Sequence, residues 1–259
     1  MGAVPLAFIT GASSGIGQAL AERYLRNGYR LALVARRAAP VEQWLQDLPL
    51  STKDCTAYSA DVRDIASIAA AAQACIDAQG LPDIVIANAG ISVGMDTAIA
   101  ADLEVMRNTY ETNVLGVAAT FQRFVEPMRR RGTGRLVGVA SVAGIRGLPG
   151  HGAYCSSKAA VISYCESLRG ELRDSGVKVV TLVPGYIDTP LTRDNRYTMP
   201  FLMPAGRFAE CAFEAVQRGT SYRVIPWQMG WVAKLLRLMP NAVFDRLLAG
   251  RARKQRQVQ

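Results

Sequence analysis

The 259-residue chain has one histidine, His151, and five cysteines, Cys55, Cys75, Cys155, Cys165 and Cys211, with no C-x-x-C pair among them. These residues offer no metal-ligand spacing, and no metal is expected. The odd cysteine count points to reduced thiols in a cytoplasmic setting. No apolar run reaches the roughly 18 residues that would span a bilayer. The opening MGAVPLAFITGASSG has no basic region before its short apolar run, so it reads as a first strand and not as a signal peptide. Leu6 stands where a myristoylation pattern needs Ser or Thr. No linker and no repeat of fixed period divides the chain. The net charge of +9 is unevenly spread: from Trp227 onward seven basic residues face Asp245 alone, which accounts for six of the nine charges. The basicity therefore belongs to the C-terminus. With no aromatic residue interleaved in the terminal basic run, a nucleic-acid partner is not expected.

What is present suits a globular α/β protein. Half of the residues are hydrophobic and a fifth are charged. Strands are expected at 5–10, 30–35, 55–60, 83–88, 134–141, 177–183 and 221–225. Several are apolar throughout, as in a parallel sheet covered on both faces. Helical periodicity is clear at 15–27, 64–79, 101–131 and 152–174. The alternation predicts right-handed βαβ units and a Rossmann-like, doubly wound parallel sheet in a single domain over 1–226. The segment 185–206 is long, proline-rich and weakly periodic, as functional loops often are. Residues 227–259 form a basic amphipathic extension with two short helical patterns broken at Pro240. Its terminal RARKQRQVQ is expected to be disordered.

After the first strand comes TGASSGIG, residues 10–17. Glycines at 11, 15 and 17 permit a tight turn and close approach of backbone amides to a ligand. The helix that follows presents its N-terminal amides to a phosphate. The second strand ends in Ala35, then Arg36 and Arg37, with no carboxylate to meet a ribose 2′-hydroxyl. Two guanidiniums there match a 2′-phosphate and favour NADP(H). Further along, Tyr154 and Lys158 are four residues apart, about one helical turn, so their side chains are neighbours.

TGASSGIG at 10–17, NAG at 88–90, Asn113, Ser141, YCSSK at 154–158 and PGYIDT at 184–189 resemble, in order and spacing, the short-chain dehydrogenases/reductases. The resemblance covers about residues 4–226. Ala87 departs from the asparagine that members often carry before NAG. The resemblance implies about seven strands and a homodimer or homotetramer. It assigns Gly11, Ser13, Ser14, Gly15, Ile16 and Gly17 to the pyrophosphate turn, and Asp61 and Val62 to the adenine. Asn88, Ala89 and Gly90 would line the cofactor cleft, and Pro184, Gly185, Ile187 and Thr189 would hold the nicotinamide end. Tyr154 would be the general acid/base, Lys158 its partner, Ser141 the carbonyl polariser and Asn113 a backbone-ordering residue in a water relay.

The chemistry fits those residue types. Hydride transfer to a ketone builds negative charge on oxygen, which needs a proton. A free tyrosine titrates near ~10, too high for ready exchange at neutrality, and an ammonium one turn away is expected to lower it. Ser141 can donate a second hydrogen bond to the same oxygen. Met199, Phe201, Leu202 and Met203, with Ile145 and Leu148, suggest a pocket for a bulky apolar or lipid-like carbonyl; packing into the core or a subunit interface is the alternative. In the tail, Trp231, Val232, Leu235, Leu236 and Leu238 alternate with Lys234 and Arg237. That pattern suits peripheral contact with an anionic membrane, or equally a partner subunit. His151 is expected at the helix start or pocket rim. The favoured reading is an NADP-dependent oxidoreductase acting on a carbonyl or secondary alcohol. A 3-oxoacyl-thioester reductase and a non-catalytic NADP-binding scaffold are the alternatives.

Overall fold

The apolar strands order the molecule. Leu6–Thr10 (β1), Arg30–Ala35 (β2), Cys55–Ser59 (β3), Ile84–Ala87 (β4), Gly134–Val139 (β5) and Val177–Pro184 (β6) pair in parallel, joined at one edge by Tyr222–Ile225. Ile187–Asp188 (β7) and Met203–Pro204 (β8) form a separate two-stranded ladder, which makes the edge strand β9. The order of the main sheet is β3-β2-β1-β4-β5-β6-β9. All five residues of β1 and all four of β4 are buried, as strands covered on both faces must be. The structure, a computed structural model, describes residues 4–193, 195, 198–250 and 254–256.

Helices cover both faces. Gly15–Arg26 (α1), Ala39–Asp47 (α2) and Ala205–Gln217 belong to one layer, Ile65–Gln79 (α3), Asp102–Tyr110 (α4), Gly116–Arg131 (α5) and Gly152–Glu171 (α6) to the other. With the short Pro190–Arg193 counted as α7, Ala205–Gln217 is α8. Two apolar cores result, one on each side of the sheet. Phe8 and Phe124 meet in the first at 4.9 Å between ring centroids, and Tyr24 packs edge-on against Tyr29 and Phe213 in the second. The α3 start expected at 64 has a physical cause: the Asp64 carboxylate accepts from the amides of Ala66 and Ser67.

Several expectations are corrected. The helix expected over 101–131 is divided by a π-helical turn, Glu111–Leu115, between α4 and α5. Helices α2 and α8 stand where no clear periodicity was assigned. The 185–206 loop contains β7, α7 and β8. The tail does form two helices, Trp227–Leu238 (α9) and Asn241–Leu248 (α10), on either side of Pro240. In the terminal run expected to be disordered, Lys254–Arg256 is seated on the domain through hydrogen bonds to Gly94, Leu191, Asn195 and Asp102. Residues 251–253 and 257–259 lie outside the described residues. Among the described residues no helix is long and apolar enough to cross a membrane.

Candidate active site

The sheet order reverses direction between β1 and β4, and a crevice opens there at the carboxyl ends of the strands. The turn after β1 places Gly11 at φ +68° and Gly15 at φ +58°, values that favour glycine. Ser14 precedes α1 in an extended conformation and makes no side-chain cap, and the first turn of α1 has no acidic residue. Its leading amides are thus left for an anion from outside the helix. Asn88 pins the turn: its Nδ2 donates to the carbonyls of Thr10 and Gly11, and the Asn88 and Ala89 amides donate to Thr10 Oγ1.

The cavity here has a volume of about 480 Å³. Gly11, Ser13, Ser14, Gly15 and Ile16 line one end of it, Arg36, Asp61 and Val62 its far end, and Asn88, Ala89 and Gly90 the side formed by β4. Pro184, Thr189, Tyr154 and Lys158 complete it. Four expected residues are elsewhere. Gly17 is buried behind the turn, where a Cβ would lie 2.6 Å from Asn88 Nδ2. Arg37 is exposed off the cavity wall. Ile187 is in the core, and Gly185 faces a second cavity. Arg63 also reaches the wall, which the sequence reading missed; nothing in its local pattern marks it. Its Nη2 and Nε both donate to Asp61 Oδ2, at 2.7 and 3.0 Å, and Nε also reaches Oδ1 at 3.2 Å. That hydrogen bonding keeps the Asp61 carboxyl below its ordinary range.

Tyr154 and Lys158 lie one turn apart near the start of α6, and Ser141 follows the end of β5. The Ser141 hydroxyl accepts from the Ala143 amide, and Ser141 and Tyr154 line the same second cavity. Lys158 Nζ donates to the Val139 carbonyl at 2.8 Å and stands 5.9 Å from the Tyr154 ring centroid. Asn113 sits in the π-turn, a distortion frequent at functional sites. Its side chain receives the Ile91 amide and donates to the Ile91 carbonyl and to Ser157 Oγ. It therefore ties down the backbone at Ile91, beyond β4. The fully buried Ser157, whose hydroxyl also donates to the Tyr154 carbonyl, was missed.

The electrostatics differ from expectation in one respect. Burial raises the Tyr154 pKa and outweighs the lowering influence of the nearby Ser141 hydroxyl. Burial also lowers Lys158 to about 8. Lys158 still carries its charge at neutrality, but for the phenol in its resting state burial is the dominant influence. The resting tyrosine is a neutral acid.

A second cavity, of about 210 Å³, adjoins the first, and Tyr154 lies on the wall of both. Its lining includes Ser141, Ile145, Leu148, Gly185 and Tyr186, together with Val232, Leu236, Phe244 and Leu248 from α9 and α10. Ile145 and Leu148 are where the sequence placed them. Phe201 and Leu202 instead point outward, about half exposed, and Met203 packs against the core. Their intended place is taken by the two tail helices. Arg146 fastens that roof: it donates to the carbonyls of Leu236 and Met239 at the end of α9 and lies 3.8 Å over the Phe244 ring. His151 precedes α6 and lines this cavity, with burial lowering its pKa.

Residues 5–200 match the family model described as short chain dehydrogenase. An uncharacterised oxidoreductase of Myxococcus xanthus is 38% identical over 247 residues, 92% of this chain and 94% of that one. A short-chain dehydrogenase/reductase of Burkholderia phymatum in complex with NAD superposes with a TM-score of 0.80 at 26% identity, over 90% and 92% of the two chains. One of Burkholderia cenocepacia in complex with NADP does so with a TM-score of 0.81 at 25% identity, over 95% and 98%.

Proposed function

The chain belongs to the short-chain dehydrogenase/reductase family of oxidoreductases, and from that premise we propose that it reduces a bulky apolar carbonyl compound using NADP(H). The observation that carries this reading is the position of Tyr154 on the wall of both cavities. Its phenol stands where a dinucleotide in the larger space would meet a substrate in the smaller, apolar one.

The residues present fit such a cofactor. The uncapped start of α1 and the two positive-φ glycines suit a pyrophosphate. When bound, the dinucleotide supplies the hydride. The chain supplies the rest. Ser141 Oγ–H and Tyr154 Oη–H both donate to the substrate oxygen, and the Tyr154 proton moves to that oxygen as negative charge builds on it. The phenolate left behind is stabilised by the Lys158 ammonium. Asn113 and Ser157 hold the neighbouring backbone.

Both NAD and NADP are bound by solved neighbours. For this chain NADP(H) is favoured by Arg36 on the cavity wall and by the absence of an acidic residue at the end of β2. Asp61, the carboxylate on the wall nearby, is occupied by Arg63. A fluorescence titration is expected to show NADPH bound more tightly than NADH. Arg36→Ala should weaken NADPH by about tenfold to a hundredfold, the scale of a charge-assisted hydrogen bond, and leave NADH unchanged. Equal affinities in the wild type would sink the NADP(H) assignment.

The roof has a second, outward face. Trp227, Trp231, Leu235 and Leu238 are each more than 60% exposed along one stripe of α9, beside Lys234 and Arg237. This supports peripheral contact with an anionic membrane. The enzyme is expected to co-sediment with phosphatidylserine vesicles and not with phosphatidylcholine vesicles, and Trp231→Ser/Leu235→Ser should abolish it. Equal sedimentation of the double variant would remove the helix from this role. A homodimer or homotetramer belongs to the same proposal.

A further inference from the structure

Three charged side chains meet at the far end of the larger cavity: Arg36, Asp61 and Arg63. Strands β2 and β3 end side by side, with Ala35 opposite Ser59 and the Ala60 amide donating to the Ala35 carbonyl at 3.0 Å. Arg36 and Asp61 therefore stand just beyond adjacent strand ends, where a cation and a carboxylate would be expected to pair. They do not pair. Among the described residues the Arg36 side chain makes no hydrogen bond or ion pair. The carboxylate is engaged by Arg63 instead. It accepts from Nη2 at 2.7 Å and from the Arg63 amide at 3.0 Å, and Nε lies 3.0 and 3.2 Å from its two oxygens. Hydrogen bonding by Arg63, with a smaller contribution from the Arg36 charge, keeps the Asp61 carboxyl below its ordinary range. The guanidinium is also held from α4: Nη1 donates to Asn108 Oδ1 at 3.2 Å, and Asn108 Nδ2 donates to Glu104 at 3.3 Å.

We propose that Arg63 sets the cofactor preference by holding the Asp61 carboxylate, which leaves Arg36 for a 2′-phosphate. A carboxylate without Arg63 would act against a 2′-phosphate in two ways. It would repel the phosphate, and it would compete with it for the Arg36 guanidinium. A ribose 2′-hydroxyl carries no charge and feels neither effect. Arg63 is thus a positioning residue that acts through Asp61, and Asn108 orients it. Both members of the pair are partly exposed, so the pair adds little to stability and its loss should leave the fold intact. The inference rests on the NADP(H) reading. That reading concerns the preference of the wild type; the inference concerns how the preference changes when Arg63 is replaced.

The test is a fluorescence titration of the full-length protein with NADPH and with NADH. Any contact of Asp61 with the adenine is common to both cofactors and cancels in the ratio of their affinities. Arg63→Ala is expected to lower the NADPH:NADH affinity ratio about tenfold, with melting temperature nearly unchanged. Arg63→Lys keeps the charge but not the planar fork, and should fall between the two. Adding Asp61→Asn to Arg63→Ala should return the ratio to the wild-type value, because the repelling charge is gone. Asp61→Asn alone should not lower it. A ratio in Arg63→Ala equal to that of wild type overturns the proposal. A loss that persists in the double variant also overturns it, since Arg63 would then touch the phosphate itself and not act through Asp61. Wild type binding NADH as tightly as NADPH would count against the NADP(H) reading, while the change in ratio from wild type to Arg63→Ala would still decide the role of Arg63.

Discussion

Replacing Tyr154 by Phe is expected to lower kcat/KM for ketone reduction by about a hundred- to ten-thousandfold, the range that a positioned general acid contributes. The change removes one oxygen from a wall shared by both cavities and leaves the ring in place. NADPH affinity should therefore stay within about twofold of wild type, since the residues proposed to hold phosphate and adenine lie elsewhere along the cleft. The pH profile has a defined sign. Burial keeps the phenol protonated across neutrality, so the acid form is present at the start of reduction. Lys158, lowered to about 8, loses its charge as pH rises through that value. The phenolate formed in the reaction then loses its stabilising partner, and reduction should decline above pH about 8. Stopped assays from pH 6 to 10 with wild type and Tyr154→Phe check both points. A variant retaining more than about a tenth of the rate would show that the proton comes from elsewhere.

Gly17→Ala is expected to have the next largest effect, though Gly17 is not on the cavity wall. Its backbone runs against the glycine turn, and an added Cβ would meet the carbonyl carbon of Gly11 at 2.8 Å and Asn88 Nδ2 at 2.6 Å. Neither neighbour can yield freely. The Gly11 carbonyl belongs to the turn itself, and Asn88 is held by its bonds to Thr10 and Gly11. One methyl group must therefore displace the turn from the start of α1. Overpacking of this kind costs about 1–3 kcal/mol of stability. Dinucleotide binding should fall about a hundredfold or more, because amides that must converge on the phosphates no longer do. Thermal unfolding and NADPH titration on the same sample separate the two effects. Binding equal to wild type in a folded Gly17→Ala protein would mean that the turn does not carry the pyrophosphate.

The motifs were legible because each is local. The glycine turn lies within one strand–turn–helix junction, and the tyrosine and lysine are separated by a single turn of α6. The ends of the parallel strands bring these short segments together once the βαβ alternation is recognised. Hidden features depend on partners far apart in the chain. Asn113 meets Ser157 across 44 residues, and Asp102 meets Arg256 across 154. The π-turn that holds Asn113 has the same side-chain periodicity on either side as an uninterrupted helix, so the long pattern 101–131 concealed it. Helix α8 was legible but missed: its buried Phe208, Ala209, Ala212, Ala215 and Val216 follow helical spacing.

The sequence alone thus determined the sheet and the family resemblance, and it located the glycine turn and the Tyr154–Lys158 pair as candidates, since periodicity and short spacings survive in a one-dimensional string. Only the tertiary structure decided which apolar residues wall the second cavity. Phe201 and Leu202 are as hydrophobic as Val232 and Leu236, yet the first pair faces outward and the second lines the cavity. Hydrophobicity says that a side chain leaves water when it can; which neighbour covers it depends on the whole fold. The same holds for the direction of the Tyr154 pKa, because desolvation is a property of everything packed around the phenol and not of the lysine one turn away.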